Sequence, residues 1–213
     1  MRRALPIIVA TLIGLGVAFA GLAAPSQARA WSCSGAFING SGADDPFLNG
    51  TSGPNRTRGF ARHDVLRGRG GRDCLWGNAG NDVLFGETAD DKLYGNAGRD
   101  VLDGGGGFDL LKGQVGRDTL RGGSGGDNLE GGAGDDNLDG GGGRDNLIGG
   151  TGADVIRGGP GADLLKGNSG VDLIRAMDGE IDDIFCGSGN DIAWVDGFDR
   201  RTGCEQENID ITP

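Results

Sequence analysis

An aspartate recurs every nine residues, thirteen times in succession. The series is Asp64, Asp73, Asp82, Asp91, Asp100, Asp109, Asp118, Asp127, Asp136, Asp145, Asp154, Asp163 and Asp172. A glycine precedes each Asp by five positions, from Gly59 to Gly167, and a Leu or Ile follows each by two, from Leu66 to Ile174. The most regular units read GGAGDDNLD (131–139) and GGTGADVIR (149–157). A strict short period means that one small structural unit is stacked on copies of itself. It excludes a collagen helix, which needs glycine every third residue. It also leaves no stretch with the mixed patterning of a conventional globular core.

Each unit divides into two halves. Gly-x-x-Gly-x-Asp places glycine where the chain must take positive φ or pass close to another atom. The x-Leu-x half is a minimal strand whose central side chain faces inward. Nine residues with one Leu cannot fold alone. Burying that Leu contributes about 1.5–3 kcal/mol, less than the cost of ordering nine backbones rich in glycine. Stacking gathers the Leu residues into ladders but also stacks the carboxylates, and like charges side by side oppose folding. A cation held between coils removes that conflict.

The charge balance agrees. Arg2 and Arg3 precede an apolar run from Ile7 to Leu22, and Ala28-Arg29-Ala30 offers small residues at a cleavage site, so residues 1–30 read as a secretory signal peptide. The run is short and broken by Gly14, Gly16 and Gly21, which argues against a membrane anchor. The chain beyond it carries 17 basic against 31 acidic side chains, a formal charge of −14. Such a chain repels nucleic acid and attracts cations. Cys33, Cys74, Cys186 and Cys204 form no C-x-x-C pair, and an even count in an exported chain favours disulfides over zinc.

The turns offer oxygen ligands only, since the single histidine is His63. Carboxylates and carbonyls in a flexible glycine-rich turn suit Ca2+, which takes six to eight hard oxygens. Magnesium wants a smaller octahedron and keeps its water.

The units match Gly-Gly-x-Gly-x-Asp-x-Leu-x, and the chain resembles the hemolysin-type calcium-binding (RTX) nonapeptide family over residues 59–175. The resemblance implies an all-β, right-handed parallel β-roll (a β-solenoid) with two repeats per coil. It also implies several calcium ions, each shared by aspartates one coil apart, such as Asp73 with Asp91 and Asp82 with Asp100. All thirteen Asp residues are the expected metal ligands. Residues 31–58 and 176–213 are then irregular caps, the second holding two decayed units at Asp182 and Asp191. Nine residues replace glycines: Phe60, Arg62, Arg69, Asn78, Glu87, Ala89, Asn96, Gln114 and Asn168. Units from Gly122 to Asp163 keep all their glycines, so the firmest sites are expected there. The N-terminal signal departs from the toxin branch of the family. The tail CGSGNDIAWVDGFDRRTGCE resembles the cysteine-containing cap of stand-alone secreted members.

On a stacked roll the cysteines of opposite ends lie far apart, so the expected bridges are Cys33–Cys74 and Cys186–Cys204, one per cap. The implied function is that of a secreted, non-enzymatic calcium-binding protein of structural or cell-surface character. The alternative is a calcium-dependent adhesin or carbohydrate-binding module that uses an aromatic patch at Trp76, Phe85 and Tyr94, with cell-wall or extracellular polysaccharide as partner. A plainer reading has the N-terminal segment covering those rings. A hydrolase is the remote alternative. Gly122-Gly123-Ser124-Gly125-Gly126 fits a nucleophile elbow, but it lies inside a repeat turn. Six arginines between Arg56 and Arg72 oppose an acidic C-terminal end, which suits either head-to-tail pairing or a solvated surface.

Overall fold

The computed structural model describes residues 32–210, with only the backbone course for 206–210. Residues 1–31, and with them the expected signal peptide and Trp31, lie outside the described part. Among the described residues there are twenty strands and no helix. Successive strands alternate between two ten-stranded parallel sheets, the first running from Ala36–Asn39 to Arg200–Thr202 and the second from Leu48–Asn49 to Gln206–Asp210. The result is a parallel β-solenoid of about nine turns. At about 4.8 Å per coil it is roughly 43 Å long.

The register follows from the repeat. Leu120 lies between Leu102 and Leu138 in one sheet, and Leu129 between Leu111 and Leu147 in the other. Each step is two repeats, because one repeat supplies a strand to each sheet. The two ladders, Leu66 to Ile174, are fully buried and form the core between the sheets. Every coil contributes a Leu or Ile at the same height, so the core is a nearly uniform stack.

Two features are more regular than the sequence suggested. Most strands of the repeat region are six residues long, as in Asn137–Gly142, and take in half of the expected turn. The reason is inter-coil pairing: Gly132 and Ala133 lie in register with Gly150 and Thr151, so their backbone groups join the ladder. The flanking segments also continue the roll. Ala36–Asn39 and Leu48–Asn49 add a coil at one end, and Asp183–Ser188 through Gln206–Asp210 add coils at the other.

The bridges Cys33–Cys74 and Cys186–Cys204 are both formed, with Cα separations of 5.8 and 5.1 Å. Cys74 sits on the outer side of its strand and is buried beneath the crossing chain at Cys33. Cys186 occupies a first-glycine slot, five residues before Asp191, and points into the core. That second bridge therefore closes the last coils from inside.

Candidate metal centre

Each repeat glycine has a steric reason. Gly134 has φ of +133°, and a Cβ there would lie 1.6 Å from the Gly116 carbonyl oxygen of the preceding coil. Nine non-glycine residues among the described ones take positive φ, and all nine are the glycine replacements from Phe60 to Asn168 named above. The stack imposes the left-handed conformation whatever the side chain, and the replacements accept strain of about 1–3 kcal/mol each.

The first glycine faces the aspartate. A Cβ on Gly122 would come within 2.4 Å of Asp127 Oδ2 and 2.5 Å of the Gly140 carbonyl oxygen. The equivalent approach of the Asp Oδ2 recurs from Gly59 to Gly167. Carboxylate and backbone oxygens therefore converge on a space that a side chain would fill.

All thirteen aspartates are buried and stand in two rows, one beside each set of turns. Within a row the backbone N–H of one Asp donates to Oδ1 of the Asp one coil on. Asp64 donates to Asp82, Asp82 to Asp100 and Asp100 to Asp118, each at 2.8 Å. In the other row Asp73 donates to Asp91 at 2.7 Å and Asp91 to Asp109 at 2.8 Å. The Asp carbonyl is used as well: the Asp136 carbonyl accepts from Val155 N–H at 2.8 Å. What remains is Oδ2. In every one of the thirteen it is buried without a hydrogen-bond partner. Asp182 and Asp191 show the same orphan oxygen.

The rows run beyond the strict repeat. Asp45 N–H donates to Asp64 Oδ1, and Asn55 holds the slot before Asp73, donating from its backbone and its side-chain amide. At the far end Asp182 donates to Asp199 Oδ1 and Asp191 to Glu205 Oε2. The sequence reading missed Asp45, Asn55, Asp199 and Glu205. The signal was an exact 18-residue spacing for Asn55, masked by the change of side chain, and spacings of 19 for Asp45, 17 for Asp199 and only 14 for Glu205.

Burial pushes the carboxyls up. Asp82, Asp118 and Asp145 are raised to about 6. Asp100, Asp109, Asp127, Asp154 and Asp163 reach about 7. Asp91 and Asp182 reach about 8. Loss of water is the largest cause in every case, the hydrogen bond from the preceding coil opposes it, and neighbouring carboxylates add less. Mutual repulsion is therefore the weaker influence, because each Oδ1 already accepts a compensating N–H.

The donor set fits a hard cation. Among the described residues no three acidic, His or Cys side chains converge on one point. Each coil offers single carboxylate oxygens with backbone carbonyls nearby, which is a calcium-type rather than a zinc-type set. His63 stands apart: its Nδ1 accepts the Asn81 N–H at 2.8 Å on the surface.

The aromatic residues do not form one patch. Trp76 and Tyr94 stack on the first sheet, with centroids 5.8 Å apart, while Phe85 lies on the second sheet. Nor does the chain from Ala36 onward cover them, since it adds a coil instead. Arginines take that place, Arg58 over Trp76 at 5.1 Å and Arg67 over Phe85 at 4.5 Å. Among the described residues no helix is long and apolar enough to cross a membrane.

A parallel solenoid lined by two rows of half-satisfied aspartates belongs to a narrow class of repeat proteins. Residues 49–84, 58–91, 76–111, 112–147 and 148–180 match the model of the RTX calcium-binding nonapeptide repeat. The matches span more than half of the chain, and the chain belongs to this family. The family binds calcium. No curated protein gives a significant match to the chain.

Proposed function

We propose that the thirteen aspartates from Asp64 to Asp172 are calcium ligands, and that the protein is a secreted, non-catalytic structural module whose folding is driven by Ca2+. The observation that carries this reading is the row of buried Oδ2 atoms without partners. A buried polar atom left unpaired costs about 1–3 kcal/mol, and more when charged. A divalent cation between coils would satisfy Oδ2 of one Asp together with carbonyl oxygens of the glycine turns. Oδ1 stays with the backbone and keeps the coils in register. Calcium supplies positive charge where the fold collects negative charge, and binding becomes folding energy.

Two disulfides and calcium dependence both suit a calcium-rich, oxidising exterior. A chain that stays unfolded at low calcium and folds after export needs no unfolding step at the membrane.

Circular dichroism of the chain from Trp31 onward tests the proposal. In chelator the β signal is expected to be weak, and millimolar calcium is expected to restore it cooperatively. A full β spectrum in chelator at neutral pH overturns it.

A further inference from the structure

On the second sheet, the residue three after each Asp points outward. Coil by coil this ladder reads Arg67, Phe85, Asp103, Arg121, Asp139, Arg157, Arg175, Trp194. From Asp103 to Arg157 acid and base alternate, so neighbours attract. The alternation fails at Arg175, which lies directly in register with Arg157. Like charges opposite one another are destabilising. Arg157 is only loosely engaged, with Nη1 3.8 Å from Asp139 Oδ2. No ion pair to Arg175 forms among the described side chains.

The surface opens at this point into a cavity of about 640 Å³, lined by Arg157, Arg175, Trp194, Met177, Asp178 and Pro160. Its origin is local. The strand Val155–Arg157 stops after three residues, and Pro160 has no N–H to continue the ladder. One residue is inserted in the next coil, so the register changes from Val155↔Leu173 to Leu173↔Ile192. Asp178 staples the gap. Its Oδ2 accepts the Gly161 N–H and its Oδ1 the Glu180 N–H, both at 2.8 Å. Both its oxygens are turned to backbone N–H groups, so its single negative charge holds the turn and only partly offsets the two guanidinium groups of the cavity. Trp194 is 43% and Met177 45% exposed, an apolar wall beside them. A second depression of about 210 Å³ shares both arginines and continues past Asp139 to Asn137 and Thr119. The groove thus runs along the solenoid axis over five coils, roughly 19 Å at about 4.8 Å per coil.

We propose that this groove binds an acidic polysaccharide, with a sugar carboxylate held by Arg157 and Arg175 and a sugar ring against Trp194. The planar guanidinium fork matches a carboxylate in two parallel hydrogen bonds. An anion between the two arginines removes the repulsion that the register creates. The indole one coil beyond Arg175 suits a rigid ring better than a flexible acidic peptide. A straight groove suits a linear polymer, and the chain's net charge of −11 disfavours the denser charge of nucleic acid. The inference rests on the calcium-folded roll, because the groove exists only when the coils are stacked.

The test is calorimetry of the full exported chain in millimolar calcium with three probes. These are an oligoglucuronate, its carboxyl-reduced neutral counterpart, and hexaglutamate. The oligoglucuronate is expected to bind and the neutral glycan not. The double variant R157A/R175A is expected to weaken binding by at least about tenfold, and Trp194→Ala by less. The calcium-induced β spectrum of each variant, read alongside, shows that the fold is kept. Absence of binding by a protein with a full β spectrum overturns the proposal. So does equal binding by R157A/R175A, or hexaglutamate binding as tight as the glycan. A calcium-independent β spectrum with retained glycan binding would sink the calcium reading alone and leave the groove standing.

Discussion

The backbone N–H of Asp127 donates to Oδ1 of Asp145, one coil further on, at 2.7 Å. Asp145 N–H donates in turn to Asp163 Oδ1 at 2.8 Å. One carboxylate oxygen of each residue therefore fixes the spacing of the coils, and the other points into the glycine turn. Register and ligand set are coupled through a single side chain. A shift of one coil relative to the next would break both.

The two oxygens can be separated by mutation. Asp145→Asn keeps an oxygen for the Asp127 N–H but removes the charge. Asp145→Ala removes both. The calcium concentration for half-maximal folding is expected to rise for Asn and to rise further for Ala, by about tenfold or about 1.4 kcal/mol. Lys166→Ala, whose side chain only approaches the Phe185 ring at 5.9 Å, should change stability by under about 0.5 kcal/mol. Equal effects of Asp145→Ala and Lys166→Ala in a calcium titration followed by circular dichroism would contradict the ligand assignment.

The core was legible because it is periodic. Leu66 to Ile174 recur at one spacing, and that spacing alone puts them inside. The nine glycine replacements were legible for the same reason: position in the repeat, not side chain, sets φ. What was not legible is how far the pairing extends. The repeat places Gly132 opposite Gly150, but it does not show that the turn backbone joins the ladder, so the strands looked half their true length. A search for Asp passes over Asn55, which holds its slot in strict register with a different side chain, and Asp199 lies one residue short of the eighteen-residue step. The aromatic residues misled because sequence neighbours such as Trp76 and Phe85 alternate between opposite sheets.

Glycines differ sharply in what they tolerate. At Gly134 a Cβ meets the Gly116 carbonyl oxygen at 1.6 Å with φ of +133°, whereas at Gly142 nothing lies within 4 Å. Gly134→Ala is expected to destabilise the calcium-bound roll by more than about 2 kcal/mol. Gly142→Ala is expected to be neutral or to stabilise by up to about 1 kcal/mol, through a less flexible unfolded chain. Urea unfolding at fixed calcium ranks the two, and the reverse order would mean that the stack is not as described.

Acid should act in opposite directions with and without calcium. In the calcium-free roll burial raises the Asp carboxyls, to about 6 at Asp82, about 7 at Asp127 and about 8 at Asp91. Their unfolded value is about 3.9. A raised folded pKa means that protonation favours the fold. That contribution is fully present below about 3.9 and is lost as pH rises through about 6 to 8. In chelator, β structure is therefore expected to increase from pH 8 to pH 5. With calcium holding the carboxylates as anions the sign reverses, and the calcium midpoint is expected to climb over the same descent. Circular dichroism at both pH values, in chelator and in calcium, gives the four readings. Parallel changes in the two series would refute the linkage.

The last coils depend on their bridge. Cys186 lies in the core and joins Cys204 across 18 residues of chain. Here the aliphatic ladder runs out: Ile184 is followed in register by Arg201, and Ala193 by Glu207. Packing therefore contributes least where the solenoid must end, and an open end exposes strand edges. Closing a loop of this length stabilises by roughly 3 kcal/mol in the chain-entropy model. C186S/C204S is expected to free the amides from Asp183 onward to exchange with solvent, while those of Asn128–Ala133 stay protected in calcium. Hydrogen exchange read by mass spectrometry separates the segments. Loss of protection along the whole roll would show instead that the bridge nucleates the fold, and unchanged protection at the C-terminal end would show that the coils hold without it.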